Sequence, residues 1–117
     1  MRNFRDLIVW QKAHRLVLDL YAATRTYPSD ELYGLTSQSR RSAASIPTNL
    51  AEGCGRNGDP ELARFCDIAA GSASELDYQL QLARDLGYLS EATHAKLESQ
   101  LNEVRRMLTG LIAAVRK

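Results

Sequence analysis

A run of apolar residues at alternating spacings of four and three most constrains the fold of this chain. It occupies the last part of the sequence and comprises Leu97, Leu101, Val104, Leu108, Leu111 and Val115. A heptad of this kind places one apolar stripe along a helix. An isolated helix is marginal in water, so other helices must cover that stripe. The pattern therefore predicts an all-α protein whose helices share one core.

The same periodicity recurs earlier in the chain, between residues that are typical of helix ends. Pro28 stops the first segment, Asp59-Pro60 opens the third, which stops near Gly87, and Ser90 caps the fourth. We predict helices over about residues 7–27, 36–52, 60–86 and 90–116. Short connections force successive helices to run antiparallel. The predicted fold is therefore an antiparallel up-down-up-down four-helix bundle, with residues 1–117 in a single domain.

The second predicted helix contains a proline in its interior. Pro47 lies in the stretch SAASIPTNLAEG, residues 42–53, whose side chains are mostly small. Proline lacks the N–H that would bond to the Ala43 carbonyl, and its ring crowds that carbonyl. Pro47 could start a new helix or kink a continuous one. We expect the kink, because residues 47–53 are too short for an independent helix, and we expect Gly53 and Gly55 to end the helix in left-handed backbone.

Residues that could support catalysis or metal binding are few. Di-metal bundles need two Glu-x-x-His pairs, whereas this chain has one, formed by Glu91 and His94. We interpret Glu91 as a favourable charge in the first turn of a helix. Cys54 and Cys66 lack the second pair of a zinc site and are interpreted as buried, reduced thiols. We therefore predict a non-enzymatic protein with no metal, no cofactor and no small-molecule substrate.

Composition is that of an ordinary globular protein, with 44% hydrophobic and 25% charged residues. The sequence has no stretch that is long and apolar enough to span a membrane, and its first residues do not resemble a secretory signal. We therefore expect a cytoplasmic protein that does not associate with membranes. Trp10, the one tryptophan, lies on the apolar stripe of the first helix and indicates a core or subunit-interface anchor rather than a base-stacking platform.

Charge is unevenly distributed although the net charge is only +1. Residues 1–27 carry five cationic and two acidic side chains, whereas residues 59–86 carry two cationic and six acidic ones. The candidates for phosphate contacts are Lys12, Arg15, Arg40, Arg41 and Arg56. Charge alone leaves two interpretations open. These residues bind nucleic acid, or they belong to a solvated surface on which the basic first helix pairs with the acidic third helix.

Four short motifs resemble a known bacterial family. WQKA at 10–13, YGL at 33–35, SIP at 45–47 and AEG at 51–53 occur together and in this order. They resemble the four-helix bundle family first noticed as the protein encoded in intervening sequences of 23S ribosomal RNA genes, also called S23-like. The resemblance covers residues 6–89, and the last helix matches in pattern alone.

The resemblance implies a ring-shaped homopentamer and a loose association with nucleic acid. A related branch, the accessory protein of diversity-generating retroelements, is a basic pentamer that engages RNA and a reverse transcriptase, and this chain differs from it in its low net charge and acidic third helix. Arg40, Arg41 and Arg56 match basic positions of the family motif, although Arg41 could instead pair with Glu52 or Glu75. We predict a homo-oligomer, with helix two at the subunit interface, that binds RNA or DNA. The alternative is a protein-interaction scaffold without nucleic-acid affinity.

Overall fold

Four α-helices make up most of the chain. The computed structural model describes residues 2–116 and contains α1 (Ile8–Thr24), α2 (Leu35–Cys54), α3 (Asp59–Asp85) and α4 (Glu91–Val115). Short 3-10 turns at Phe4–Asp6 and Ser29–Glu31 precede α1 and α2, and residues 2–116 contain no β-strand. The prediction of an all-α, four-helix protein is confirmed. Residues 1 and 117 of the predicted domain lie outside the described residues.

The first helix ends earlier than the sequence predicts, at Thr24 rather than at residue 27. The buried Thr24 hydroxyl donates a hydrogen bond to the Leu20 carbonyl at 2.9 Å. Beyond it the chain tightens into a turn in which the Tyr27 N–H donates to the Thr24 carbonyl. A threonine side chain that bonds back to the preceding turn competes with continued helix. The bounds of the other three helices differ from the predicted ones by at most two residues.

The second helix runs from Leu35 to Cys54 without interruption, and Pro47 lies inside it. The expectation that Gly53 and Gly55 adopt left-handed backbone is wrong. Among the described glycines, those with positive φ are Gly58 and Gly87, at 85° and 81°. Gly53 is instead a buried helical residue at which α3 comes close to α2. A Cβ built on it would lie 3.0 Å from Phe65 Cβ and 3.1 Å from Leu62 Cδ1.

The core lies between all four helices. α1 packs against α2 and α4, and α3 packs against the same two helices from the other side. In the heptad of α4, Leu97, Leu101, Val104 and Leu108 are buried, while Leu111 and Val115 are partly buried. The largest fully buried side chains contributed by the other helices are Leu16, Leu20, Ile46, Leu50, Leu76 and Leu80. The periodicity that predicts the helices therefore also identifies the residues of the core.

Candidate nucleic-acid interface

The five cationic residues that the sequence singles out lie on separate parts of the bundle. Two of them, Lys12 and Arg15, are on α1 and form ion pairs. Lys12 Nζ lies 3.2 Å from Glu103 Oε1 on α4, and Arg15 Nε lies 3.5 Å from Asp19 Oδ1 one turn further along α1. Both cations are exposed. Lys12 therefore pairs with a residue of α4, and Arg15 pairs with a residue of its own helix.

Arg40 connects α2 to the end of α1. Its Nε donates to Thr24 Oγ1 at 2.9 Å and its Nη2 donates to the Tyr21 carbonyl at 3.4 Å. The guanidinium also lies 4.7 Å from the centroid of the Tyr21 ring. The last carbonyls of a helix have no partner within the helix, and a cation near them is favourable. The side chain of Arg40 is therefore committed to a contact between two helices.

Arg41 is exposed and, within residues 2–116, its side chain forms neither a hydrogen bond nor an ion pair. The two partners considered from the sequence are occupied elsewhere. Glu52 accepts a hydrogen bond from Arg56 at 2.9 Å, and Glu75 accepts one from Ser42 at 3.1 Å. The guanidinium of Arg41 is thus available to a partner outside the chain.

Arg56 lies at one end of the bundle, where it meets two further arginines. Its guanidinium is 5.4 Å from the centroid of the Phe65 ring, and that of Arg64 is 4.4 Å from the same centroid. Arg2 and Arg56 together line a pocket of 140 Å³. We call Arg2, Arg56, Arg64 and the ring of Phe65 the arginine cluster. It holds two guanidinium groups against one aromatic ring and a third, that of Arg2, in the pocket beside Arg56. Each guanidinium can bind phosphate with two N–H donors.

Local sequence explains how the cluster forms. Gly58 adopts a left-handed φ of 85°, which allows the chain to turn sharply from α2 into α3. The turn places Arg56 beside the first residues of α3. The Arg2 N–H donates to the Cys54 carbonyl at 3.0 Å, which attaches the start of the chain to the end of α2. The sequence identifies Arg56 but gives no signal for Arg2, and Arg64 has the spacing of an ordinary helix-surface pair with Glu61.

Each arginine of the cluster has a carboxylate partner. Arg2 pairs with Asp59 at 3.0 Å, Arg56 with Glu52 at 2.9 Å and Arg64 with Glu61 at 3.0 Å. The hydrogen bond from Arg64 is the main cause that lowers the pKa of Glu61. All three pairs are exposed to solvent, where ion pairs contribute little to stability. The arginines can therefore exchange these carboxylates for phosphates at small cost.

The two cysteines and the histidine of the Glu-x-x-His motif are buried. Cys54 and Cys66 are buried, and burial raises the pKa of Cys66 to about 11 and also raises that of Cys54. At the start of α4, Glu91 is exposed while His94 is buried.

Residues 2–116 contain no group of three His, Cys, Asp or Glu side chains that could hold a metal ion. The same residues contain no helix with the length and apolar character needed to cross a membrane.

Most of the chain matches a known protein family. A family model described as 23S rRNA-intervening sequence protein matches residues 5–110. The chain belongs to this family. The match confirms the resemblance found in the motifs of residues 6–89 and extends it through most of α4. Arg56 and Arg64 lie within the matched part of the chain, and Arg2 lies before it.

A solved structure has a similar fold. It is a protein of unknown function from the S23 ribosomal protein family of Bacteroides thetaiotaomicron, with a TM-score of 0.83. The similarity covers 91% of this chain and 96% of that one, at 19% sequence identity. At this identity the comparison shows that the two chains share a fold. A search of curated proteins finds no match for the chain.

Proposed function

We propose that this protein is a non-enzymatic, cytoplasmic homo-oligomer that binds RNA through its arginine cluster. The observation that carries the proposal is that Arg56 and Arg64 share the Phe65 ring and that Arg2 lines a pocket with Arg56, all at one end of the bundle. RNA rather than DNA is favoured because the family is described by its 23S rRNA intervening sequence. A ring of five subunits follows from the resemblance of the motifs to the S23-like proteins.

The proposal includes an up-down-up-down arrangement of the helices with a kink in α2 at Pro47. Support for the arrangement comes from cross-helix contacts whose residue numbers run in opposite directions. Ser42 contacts Glu75 while Ser45 contacts Ser72, and contacts between α1 and α4 and between α3 and α4 follow the same inverse order. The kink is supported by the steric conflict between the proline ring and the preceding turn. In this arrangement the connection from α2 to α3 places the arginine cluster at an end of the bundle, where a long nucleic acid can reach it.

Phosphate binding at the cluster would proceed by exchange of partners. A backbone phosphate that approaches Arg56 and Arg64 replaces Glu52 and Glu61 as the acceptor of their N–H groups. Phosphate contacts of this kind release counterions, so affinity falls steeply as salt increases. The Phe65 ring beneath the two guanidinium groups restricts their orientation, which reduces the entropy that they lose on binding.

A protein-interaction scaffold without nucleic-acid affinity is the second candidate. The observation in its favour is that Asp59, Glu52 and Glu61 already pair with all three arginines of the cluster. With a net charge of +1, the chain also lacks a strong long-range attraction for RNA. Binding measurements at several salt concentrations distinguish the two candidates.

The test is a fluorescence-anisotropy titration of nuclease-treated protein against a labelled RNA hairpin and a DNA hairpin of the same sequence. The Arg56→Ala, Arg64→Ala double variant is compared with wild type. The matched control is Arg25→Ala, Arg106→Ala, which removes the same charge from exposed positions away from the cluster. Circular dichroism confirms that both variants fold.

The proposal predicts that wild type and the control bind the RNA hairpin more tightly than the DNA hairpin. For wild type, log K should fall as log salt rises. In the cluster variant, which loses two phosphate contacts, this negative slope should be shallower by about 2. An equal loss of RNA affinity in the cluster variant and in the control variant would indicate a non-specific charge effect and contradict the cluster as the site. Absence of binding by wild type at low salt would favour the scaffold.

A further inference from the structure

An apolar groove runs along the surface between α1 and α2. At one end it is lined by Phe4 and Trp10, whose ring centroids are 4.8 Å apart, and at the other by Tyr21 and Tyr33. Ala44 lies where these two stretches of the groove meet. The stretch at Phe4 and Trp10 has a volume of 310 Å³ and the stretch at Tyr21 and Tyr33 one of 540 Å³. We call this surface the α1/α2 groove. Small side chains in its middle and aromatic rings at its ends give it the form of a channel for a helix.

The groove exposes large apolar side chains that do not contribute to the core. Tyr33 is 91% exposed, Leu32 is 51% exposed and Tyr21 is 40% exposed. A contiguous apolar surface of this kind on a small protein is typical of an interaction site. Arg41 lines the same stretch of the groove and has no ion-pair partner among residues 2–116.

A second exposed stripe lies on α3. Ile68, Gly71, Glu75 and Tyr78 follow one another at spacings of three, four and three, which places them on one side of the helix. Ile68 is 41% exposed and Tyr78 is 64% exposed. Outside the local helix, no atom of the described residues would lie within 4 Å of a Cβ added to Gly71. We call this stripe the α3 ridge; its glycine lets another backbone approach closely.

The charges of the two surfaces are complementary. Glu75 lies at the centre of the α3 ridge and, in the part of the chain that the structure describes, forms no ion pair; its one side-chain partner is the Ser42 hydroxyl. Arg41 is the corresponding cation of the α1/α2 groove, with no ion-pair partner among residues 2–116. The segment that contains the ridge, residues 59–86, carries six acidic and two cationic side chains. An apolar ridge with a central carboxylate therefore matches an apolar groove with a guanidinium.

We propose that the α3 ridge of one copy docks into the α1/α2 groove of a second copy, with Glu75 paired to Arg41 across the interface. This inference rests on the proposed homo-oligomer and assigns the surfaces that form it. A groove and a ridge on different sides of one chain make a heterologous contact, which repeats from copy to copy and closes into a ring when the rotation allows. A stable interface buries about 800 Å² on each partner. That is about an eighth of the 6564 Å² surface of this chain, and the elongated groove and ridge both extend over several helical turns.

Charge reversal tests the pairing between copies. Arg41→Glu and Glu75→Arg each place like charges at every interface, so each variant alone should self-associate on the order of tenfold to a hundredfold more weakly than wild type. In an equimolar mixture, contacts between one variant and the other bring opposite charges together again, whichever of the two supplies the ridge. Sedimentation velocity should therefore show that the mixture associates where neither variant does alone. Arg106→Glu serves as the control, since it reverses an exposed charge on α4.

The outcomes separate this inference from the proposed function. A monomeric wild type would contradict the homo-oligomer and this interface with it. An oligomeric wild type whose association is unchanged by either reversal would overturn the interface and leave the homo-oligomer standing. Rescue in the Arg41→Glu, Glu75→Arg double variant without rescue in the mixture would show that the two residues pair within one chain, and would also overturn the interface.

Discussion

The contact between α2 and α3 at Gly53 predicts that alanine lowers the free energy of unfolding there, although alanine should raise it at Gly110. Replacement of a glycine by alanine inside a helix normally stabilises the helix by about 1 kcal/mol, because alanine loses less backbone entropy. At Gly53 the new Cβ would lie 3.0 Å from Phe65 Cβ and 3.1 Å from Leu62 Cδ1. Phe65 Cβ is fixed to the backbone of α3, so the two helices must separate. Overpacking of a core costs about 1 to 3 kcal/mol.

The sum of these two effects gives the expected size of the change. Gly53→Ala should lower the free energy of unfolding by up to about 2 kcal/mol, since the gain in helix propensity offsets part of the steric cost. Gly110→Ala on α4 is the control. No atom of residues 2–116 outside the local helix lies within 4 Å of a Cβ at that position, so this variant should gain as much as about 1 kcal/mol.

The measurement is urea unfolding followed by circular dichroism, with wild type and both variants at the same protein concentration, because self-association adds to apparent stability. The midpoint should fall for Gly53→Ala and rise for Gly110→Ala, with similar slopes. If Gly53→Ala is as stable as Gly110→Ala, α3 does not approach α2 as closely as the distances indicate, and the packing argument for this glycine fails.

Three further predictions concern the charges and the exposed and buried tyrosines. The Glu52→Gln, Glu61→Gln double variant frees Arg56 and Arg64 and should bind the RNA hairpin more tightly in the anisotropy titration; unchanged affinity would contradict the cluster as the site. Tyr33→Ser removes a ring that is 91% exposed, so it should weaken self-association in sedimentation velocity without lowering the thermal midpoint of the isolated monomer. Burial raises the pKa of Tyr27 from 10.0 to about 12, so the stability that its neutral hydroxyl contributes should be complete below pH 10 and be lost as the pH rises towards 12. In unfolding experiments across that range, Tyr27→Phe should remove this part of the alkaline loss, while the part that comes from Cys66, whose pKa burial raises to about 11, should remain.

The helices and the core could be predicted from the sequence because periodicity is a local property. The spacing of Leu97, Leu101, Val104 and Leu108 identifies one face of one helix, and that face is buried. Pro60 marks the start of α3, and Ser90 caps α4 by accepting a hydrogen bond from the Thr93 N–H. The end of α1 is an exception, since the sequence does not reveal whether the Thr24 hydroxyl bonds to the preceding turn or faces solvent.

The candidate site could be predicted only in part because its residues come together through tertiary packing. Arg56 stands out beside glycines in a connection between helices. Arg2 reaches it only because the Arg2 N–H bonds to the Cys54 carbonyl, and no local pattern encodes that contact. Gly53 shows the same limitation. Its place in AEG suggests a helix end, whereas its role depends on Phe65 of the next helix.

The two proposed surfaces have a joint consequence for affinity. The α1/α2 groove and the α3 ridge lie along the sides of the bundle, while the arginine cluster lies at one end. In a closed ring of identical copies, each residue recurs at one height along the axis, so every arginine cluster would lie on one circle at the same face. On the proposed function, a single neutralised cluster should bind RNA weakly, whereas linked copies should gain affinity because each further contact is intramolecular. Variants that abolish association at Arg41 or Glu75 should therefore also weaken RNA binding, although neither residue belongs to the cluster.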